Sequence, residues 1–344
     1  MARRSSGRVA RRGSSGRVAR RGSGGRAALA FVVLLAVIGL PLFVAPWWSW
    51  GRKPGPVHDV VIPAGTSLAG AASRLDDANV IYSEGQFRLL ARLFGTRAPI
   101  RAGVYRFAED RGWGSYLRAM QAGQVIALRV TIPEGLPSVL VADRLRANAQ
   151  LTGPVAVPAE GSVLPDTYDF TIGSTRAAAL KHMQAAMTAE LATLWRARKP
   201  AAIVRTPAEA VTLASIVEKE TALPAERRLV AGVYSNRLRQ GIKLDADPTV
   251  IYPVTQGRPL GRRILRSELA RDTGYNTYLK PGLPKGPIAN PGRLSIAAVL
   301  DPAPTKALYF VADGRGGHVF ATTLAEQNAN VAKWFALRHA RGER

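Results

Sequence analysis

Residues 27–50, AALAFVVLLAVIGLPLFVAPWWSW, run for 24 positions without a charge. At about 1.5 Å of rise per residue a helix of that length reaches roughly 36 Å, enough for a hydrocarbon core of roughly 30 Å. The run predicts a single transmembrane helix, with Pro41 as its kink point and Trp47, Trp48 and Trp50 at the level of an interfacial aromatic belt. A cleaved signal sequence is the competing reading; against it, the run exceeds the usual apolar stretch of roughly 7–15 residues and no A-x-A site follows. Ahead of it, residues 1–26 repeat Arg-Arg, Ser/Gly and Arg in low complexity and hold too little apolar surface to order themselves, which predicts a disordered basic tail. Arginine on that side places the N-terminus in the cytoplasm and the long C-terminal part beyond the membrane.

Past the span the pattern becomes that of a folded protein. Residues 51–59, GRKPGPVHD, read as a Gly/Pro linker. VIPAGTSLAGAASRL (61–75) and TIPEGLPSVLVADRL (131–145) then form a weak repeat, matching at Ile62/Ile132, Pro63/Pro133, Gly65/Gly135, Ala72/Ala142, Arg74/Arg144 and Leu75/Leu145. Each copy predicts a short strand, a Pro/Gly turn and an amphipathic helix. Between the copies come a helix near 83–94, a strand at 102–107 and a helix near 113–121; a long helix at 175–199 follows them. A break near Pro200 divides a region 60–200 from a last region, 201–338, that mixes helices with strands such as ALYFVAD (307–313). The whole predicts an α+β fold, since no glycine-rich phosphate loop follows a strand.

Charge and composition narrow the chemistry. The net charge of +24 would ordinarily point to nucleic acid or a membrane surface, but nine of the positive charges are the tail's arginines, beside a membrane span. No nucleic-acid partner is expected. With no cysteine and four scattered histidines, neither a thiolate site nor a metal or other cofactor is expected.

Candidate chemistry concentrates in VTLASIVEKETALP, residues 211–224. Its helix starts at Thr206 as N-cap, with Pro207 first in the helix and Glu209 completing a capping box. On a helical wheel Ala210, Val211, Leu213, Ala214, Ile216 and Val217 form an apolar arc, and Thr212, Ser215 and Lys219 face away. Glu218 and Glu220 fall on opposite flanks of that arc, about 160° apart, so they cannot converge on one bond and must play different parts. Further on, NRLRQGIKLDADPTVIYPV (236–254) turns at Gly241 and carries Asp245 and Asp247 into an Asp-Pro corner, from which Thr249–Tyr252 is expected to leave as a strand. TGYNTYLKPGLPKGPIANPG (273–292) is a long loop rich in Gly, Pro, Asn and Tyr, of the kind that is usually functional. Asp247, Asn276 and Tyr278 are the candidates for lining a cleft there, with His318 a further candidate.

LASIVEKET, LDADPTVIY, GYNTYLKPGLPKGPIANPG and YFVADGRGGHVFATTLAEQNA, in that order, resemble the signature blocks of the YceG-like, or MltG, endolytic murein transglycosylases, over roughly residues 56–338. Asp245, Lys285 and Gln327 depart from the residues common in that family. The resemblance implies an inner-membrane anchor, a LysM-like N-terminal region and a C-terminal catalytic region. It also implies cleavage of nascent glycan strands between N-acetylmuramic acid and N-acetylglucosamine with 1,6-anhydromuramyl ends; peptidoglycan synthases are a candidate further partner, left open by the sequence. The family's catalytic glutamate falls on Glu218.

Such a reaction needs one acid used twice. Protonated Glu218 donates to the bridging oxygen, then takes the proton of the C6 hydroxyl as that oxygen closes on C1. The apolar arc is expected to keep Glu218 neutral at the start, while Glu220 supports the helix end by pairing with an arginine or accepting backbone hydrogen bonds. The alternative is a non-catalytic glycan-binding scaffold. A pyridoxal-phosphate lyase is disfavoured because Lys219 lies on the polar arc and no phosphate cradle accompanies it.

Overall fold

The computed structural model describes residues 23–48, 55–108 and 110–342; most of the predicted tail, and Trp50, lie outside them. The described chain is mixed α+β and divides into two compact units, Met1–Val125 and Ile126–Arg344.

The first unit begins with α1 (Ser23–Trp48), whose first turn takes in residues expected in the tail. Its stretch Ala28–Trp48 is long and apolar enough to cross a membrane. The aromatic belt expected at its end is corrected at Trp47. That indole is 5% exposed and lies against Phe87 and Phe94 at 6.4 and 6.3 Å between ring centres, so it belongs to a protein core. Gly114 makes room for it, since a β-carbon there would come within 2.8 Å of the ring. Next, β1 (Val57–Ile62) pairs antiparallel with β2 (Gly103–Ala108), with α2 (Leu68–Asp77) and α3 (Glu84–Phe94) between them and α4 (Trp113–Ala122) after. The predicted linker therefore ends early: His58 and Asp59 are strand residues, and Asp59 accepts two 2.8 Å hydrogen bonds from Arg106 across the ladder. Ser67 and Ser83 cap α2 and α3 by accepting from Gly70 and Gln86 N–H. Ile62, Leu75, Phe87, Leu90, Tyr105 and Trp113 fill the core.

The second unit opens with β3 (Ala127–Thr131) and α5 (Ser138–Ala147), then β4 (Thr167–Thr171) antiparallel to β3, and α6 (Arg176–Arg196). After these come α7 (Pro207–Glu220), α8 (Pro224–Arg239), α9 (Asp247–Thr255), α10 (Arg266–Leu269) and α11 (Arg293–Leu300). An antiparallel pair, β5 (Tyr309–Ala312) and β6 (His318–Ala321), and α12 (Leu324–Ala340) end the fold. One expectation is corrected here. The segment after Asp247 is a helix rather than a strand, because Pro248 at its first turn has no N–H to lose there and a φ already helical. Next to Pro200, Lys199 N–H donates to the Leu300 carbonyl at 2.9 Å and ties the end of that segment to α11.

The repeat is real at the level of local structure. Ile62 ends β1 and Ile132 directly follows β3, both buried, and Ala72, Ala142, Leu75 and Leu145 are wholly buried on their helices. Gly65 and Gly135 hold φ of +76° and +70°, a region L side chains avoid, and the N–H three residues after each proline donates back to that proline's carbonyl at 3.3 Å.

α7 lies among α6, α8, α9 and α11, and every residue from Ala210 to Val217 is buried, which leaves the helix no outer face between its first and last turns. Thr212 and Ser215, expected to point away, are buried at 6% and 0% exposure. They are satisfied inside: Thr212 donates to the Ala208 carbonyl, and Ser215 donates to Thr212 and accepts from Ile288 N–H at 3.0 Å. Thr206 caps the helix as expected, but Glu209 reaches the N–H of Arg205 rather than closing the box on Thr206.

Asn290, fully buried, ties three segments of this unit. It accepts from Val163 N–H at 3.0 Å and donates to the Leu136 carbonyl at 2.9 Å and to Ser138 Oγ at 3.1 Å. Asn290→Ala strands the Val163 N–H away from water, and we expect a loss of about 2–3 kcal/mol in urea unfolding. A loss within a few tenths of a kcal/mol would contradict that account.

Candidate active site

The turn between α7 and α8 builds the site. Thr221 closes α7, its hydroxyl accepting from Leu223 N–H at 3.1 Å, and Pro224 starts α8 at once. So short a connection returns α8 along α7 and brings Arg227, in its first turn, opposite Glu218. Glu218 Oε1 accepts from Arg227 Nη2 at 3.0 Å and Oε2 accepts from Gly292 N–H at 2.8 Å. Gly292 is the N-cap of α11, so the carboxylate also sits where a helix start favours negative charge. Both side chains are buried, Glu218 at 5% and Arg227 at 6% exposure.

A second carboxylate joins them. Glu134, in the turn between β3 and α5, accepts from the same Arg227 Nη2 at 2.9 Å, and its side chain is 41% exposed. Gly135 beside it is doubly required, because its backbone is left-handed and a β-carbon would come within 3.3 Å of Glu218 Cγ.

Glu220 has a different environment. Burial pushes its carboxyl up to about 7, helped by the nearby charge of Asp247 and opposed by a hydrogen bond from Tyr234 and the charges of His318 and Arg237. Tyr234 is buried with it and raised well above the usual phenol value for the same reason. The expected division between the two acids is therefore exchanged. The buried cation and the backbone donor belong to Glu218, and the strongly desolvated setting belongs to Glu220.

The remaining candidates divide as well. Tyr278 donates to Asp247 Oδ1 at 2.6 Å, so these two do meet, on the Glu220 side. Asn276 is bound into its own loop. It is 7% exposed, and its amide donates to the carbonyls of Leu269 and Arg271 at 2.8 and 3.1 Å while accepting from Tyr278 N–H at 3.0 Å. Its work is to hold the long loop in shape. His318 is paired to Glu226, Nδ1 to Oε2 at 2.7 Å, and its backbone N–H donates to the same carboxylate. A hollow of about 390 Å³ lies next to the end of α7, lined by Lys219, Pro248, Ile251, Tyr252, Arg258 and Ile288 among others.

Sequence reasoning missed Arg227, Glu134, Tyr234 and the role of Gly292. One signal was available for Glu134: in the repeat it stands where the first copy has Ala64, so a carboxylate had been placed in a turn that needs none. Arg227 carried no such mark among the many arginines of the chain.

The YceG-like family model matches residues 60–333. The chain is 27% identical over 313 residues to the endolytic murein transglycosylase of Bacillus subtilis (strain 168), covering 82% of this chain and 86% of that one. It is 27% identical over 323 residues to the endolytic murein transglycosylase of Streptococcus pneumoniae serotype 2 (strain D39), covering 80% of this chain and 58% of the relative. Among solved structures, a yceG-like protein from Listeria monocytogenes is similar at 27% identity and a TM-score of 0.49, covering 80% of this chain and 99% of that one. With the matched span taking in both repeat copies and every element of the site, the chain belongs to the YceG-like family.

Proposed function

We propose that this protein is a membrane-anchored endolytic lytic transglycosylase that cuts nascent peptidoglycan strands between N-acetylmuramic acid and N-acetylglucosamine and leaves 1,6-anhydromuramyl ends, so terminating elongation. The names of the two relatives support the reaction class. α1 supports the anchor, and the arginines before it support an inner-membrane protein with a cytoplasmic N-terminus and an extracytoplasmic catalytic part, beside peptidoglycan synthases.

The observation that carries the reading is the buried Glu218 carboxylate, held from two sides by Arg227 and the Gly292 N–H. Protonated, Glu218 donates to the bridging oxygen as the C1–O bond breaks. The carboxylate then accepts the C6 hydroxyl proton while that oxygen bonds to C1, so no water is consumed and the proton count closes. A carboxylate with both oxygens accepting hydrogen bonds is the base half of this cycle. The meeting of Asp247 and Tyr278 supports a polar wall for acetamido or hydroxyl groups. The first unit is the LysM-like part. Its strand–helix–helix–strand order and a hollow of about 700 Å³, bordered by Gly65, Thr66, Ser67, Thr96, Arg97 and Gln121, support a second hold on the glycan.

One observation favours a second reading, in which Glu220 is the proton donor: its carboxyl, raised to about 7, is the one poised to keep a proton at neutral pH. Digestion of intact sacculi with mass spectrometry of the products separates the two. On the first reading Glu218→Gln loses anhydromuramyl ends by about 10²–10⁴-fold and Glu220→Gln keeps most turnover; the opposite outcome establishes the second.

Glu220 also makes a stability prediction. An acid with a folded value near 7 and an ordinary value of 4.5 binds more protons folded than unfolded between those pH values, so its contribution to stability falls as pH rises through that window. Glu220→Gln removes the loss. We expect its gain over the parent to grow from near nothing below pH 4.5 to roughly 3 kcal/mol above pH 7 in urea unfolding. A difference that does not vary with pH would refute the burial of that charge.

A further inference from the structure

We infer that Glu134 is a positioning residue for proton transfer by Glu218: it is the standing counter-ion that receives Arg227 while Glu218 is neutral. The inference rests on the reading of Glu218 as the acid–base group.

The cycle above poses a problem for Arg227. Its side chain is 6% exposed, which largely cuts it off from solvent, and its Nε has no hydrogen-bond partner among the described residues. A buried guanidinium needs an anion at every stage. When Glu218 carries its proton, it stops being one. Glu134 fills that gap in geometry already present. Its Oε2 and Oε1 of Glu218 both accept from a single atom, Arg227 Nη2, at 2.9 and 3.0 Å. The pairing passes from one carboxylate to the other without rotation of the guanidinium.

Glu134 is placed, not loosely surface-borne. Its side chain lies against Gly292, where any β-carbon would collide with it. Its turn is pinned by Gly135 N–H to the Asn290 carbonyl at 2.9 Å and by Asn290 N–H to the Leu136 carbonyl at 3.2 Å. Its 41% exposure keeps water on the carboxylate, so it can hold Arg227 and be solvated at the same time.

The other charged groups around this cluster are directed elsewhere. On α7, the stem of Lys219 passes Gly135 and its residue is exposed. On α8, Glu226 is paired to His318 and Arg228 to Asp301. Arg293 in the first turn of α11 pairs with Glu190 at 2.8 Å. Glu160, from the loop before β4, accepts from Ser138 and Asn290. Removing Glu134 therefore leaves Arg227 facing Glu218 alone, which favours the carboxylate and works against the proton that the first step needs.

The test is the pH profile of anhydromuramyl-end formation by the full chain in detergent on intact sacculi, for the parent, Glu134→Gln, Glu134→Asp and Glu218→Gln. For Glu134→Gln we expect the alkaline limb to move about one unit toward acid, with turnover near neutral pH down about tenfold and activity recovering as pH falls. Glu134→Asp, which restores the charge, is expected to move the limb back toward the parent. Thermal unfolding alongside confirms folding, and Glu134→Ala serves as a second charge-removing variant should Glu134→Gln fail to fold. A loss of the same fold at every pH, or no loss, with Glu218→Gln inactive, overturns the role of Glu134 and leaves the acid in place. Activity in Glu218→Gln overturns the acid, and this inference with it.

Discussion

A guanidinium out of reach of water is the constraint on which this structure turns. Arg227 is 5% exposed, and a charge so buried is tolerated only where carboxylates meet it at hydrogen-bonding distance. That requirement accounts for several otherwise unrelated features: the three-residue break between α7 and α8, the glycines at 135 and 292, and a turn from a distant β-α unit brought to the end of α7. Such an arrangement adds little net stability, because desolvating the charges costs about as much as their attraction returns. Its value is positional, since a carboxylate held from two sides cannot wander.

The contrast between the two acids follows from helical spacing. Residues two apart on a helix point in well-separated directions, so Glu218 and Glu220 leave α7 toward different neighbours. One meets a cation and a helix N-terminus; the other meets Tyr234, with Asp247 and His318 near enough to act on its charge. Environment, not residue type, sets what a carboxyl group can do, and one helix turn here supplies two environments.

Much of this was legible in the sequence. The apolar span, the α7 cap and the duplicated β-α unit all rest on local pattern, and local pattern survived. Trp47 was misread because an aromatic at the end of an apolar run suits a membrane interface and a protein core equally well. Thr249–Tyr252 was misread because Asp-Pro opens a helix as readily as a strand. Thr212 and Ser215 looked like an outer face, since a hydroxyl satisfied by its own helix and by Ile288 leaves no trace in hydrophobic periodicity. At the site, the acids were found and their partners were not, because pairing across the fold depends on which elements pack together. No spacing along the chain encodes that Arg227 and Glu134, 93 positions apart, reach the same carboxylate environment.

The duplicated turn explains how such a pairing arises without a new fold. Proline at its start and a left-handed glycine at its end set the path of the backbone in both copies, so the residue between them is free of structural duty. In the first copy that residue is Ala64, exposed, in a turn whose Gly65 and Thr66 border an open hollow. In the second copy it is Glu134, and the same turn lies against α7 and the start of α11. A rigid turn that tolerates any side chain at its apex is a means of delivering one chosen group to a fixed point. The β-α unit of the second copy is therefore part of the chemistry of this chain as much as of its scaffold, and the rigidity that the glycine and proline impose is what lets a half-exposed carboxylate hold a buried arginine in register.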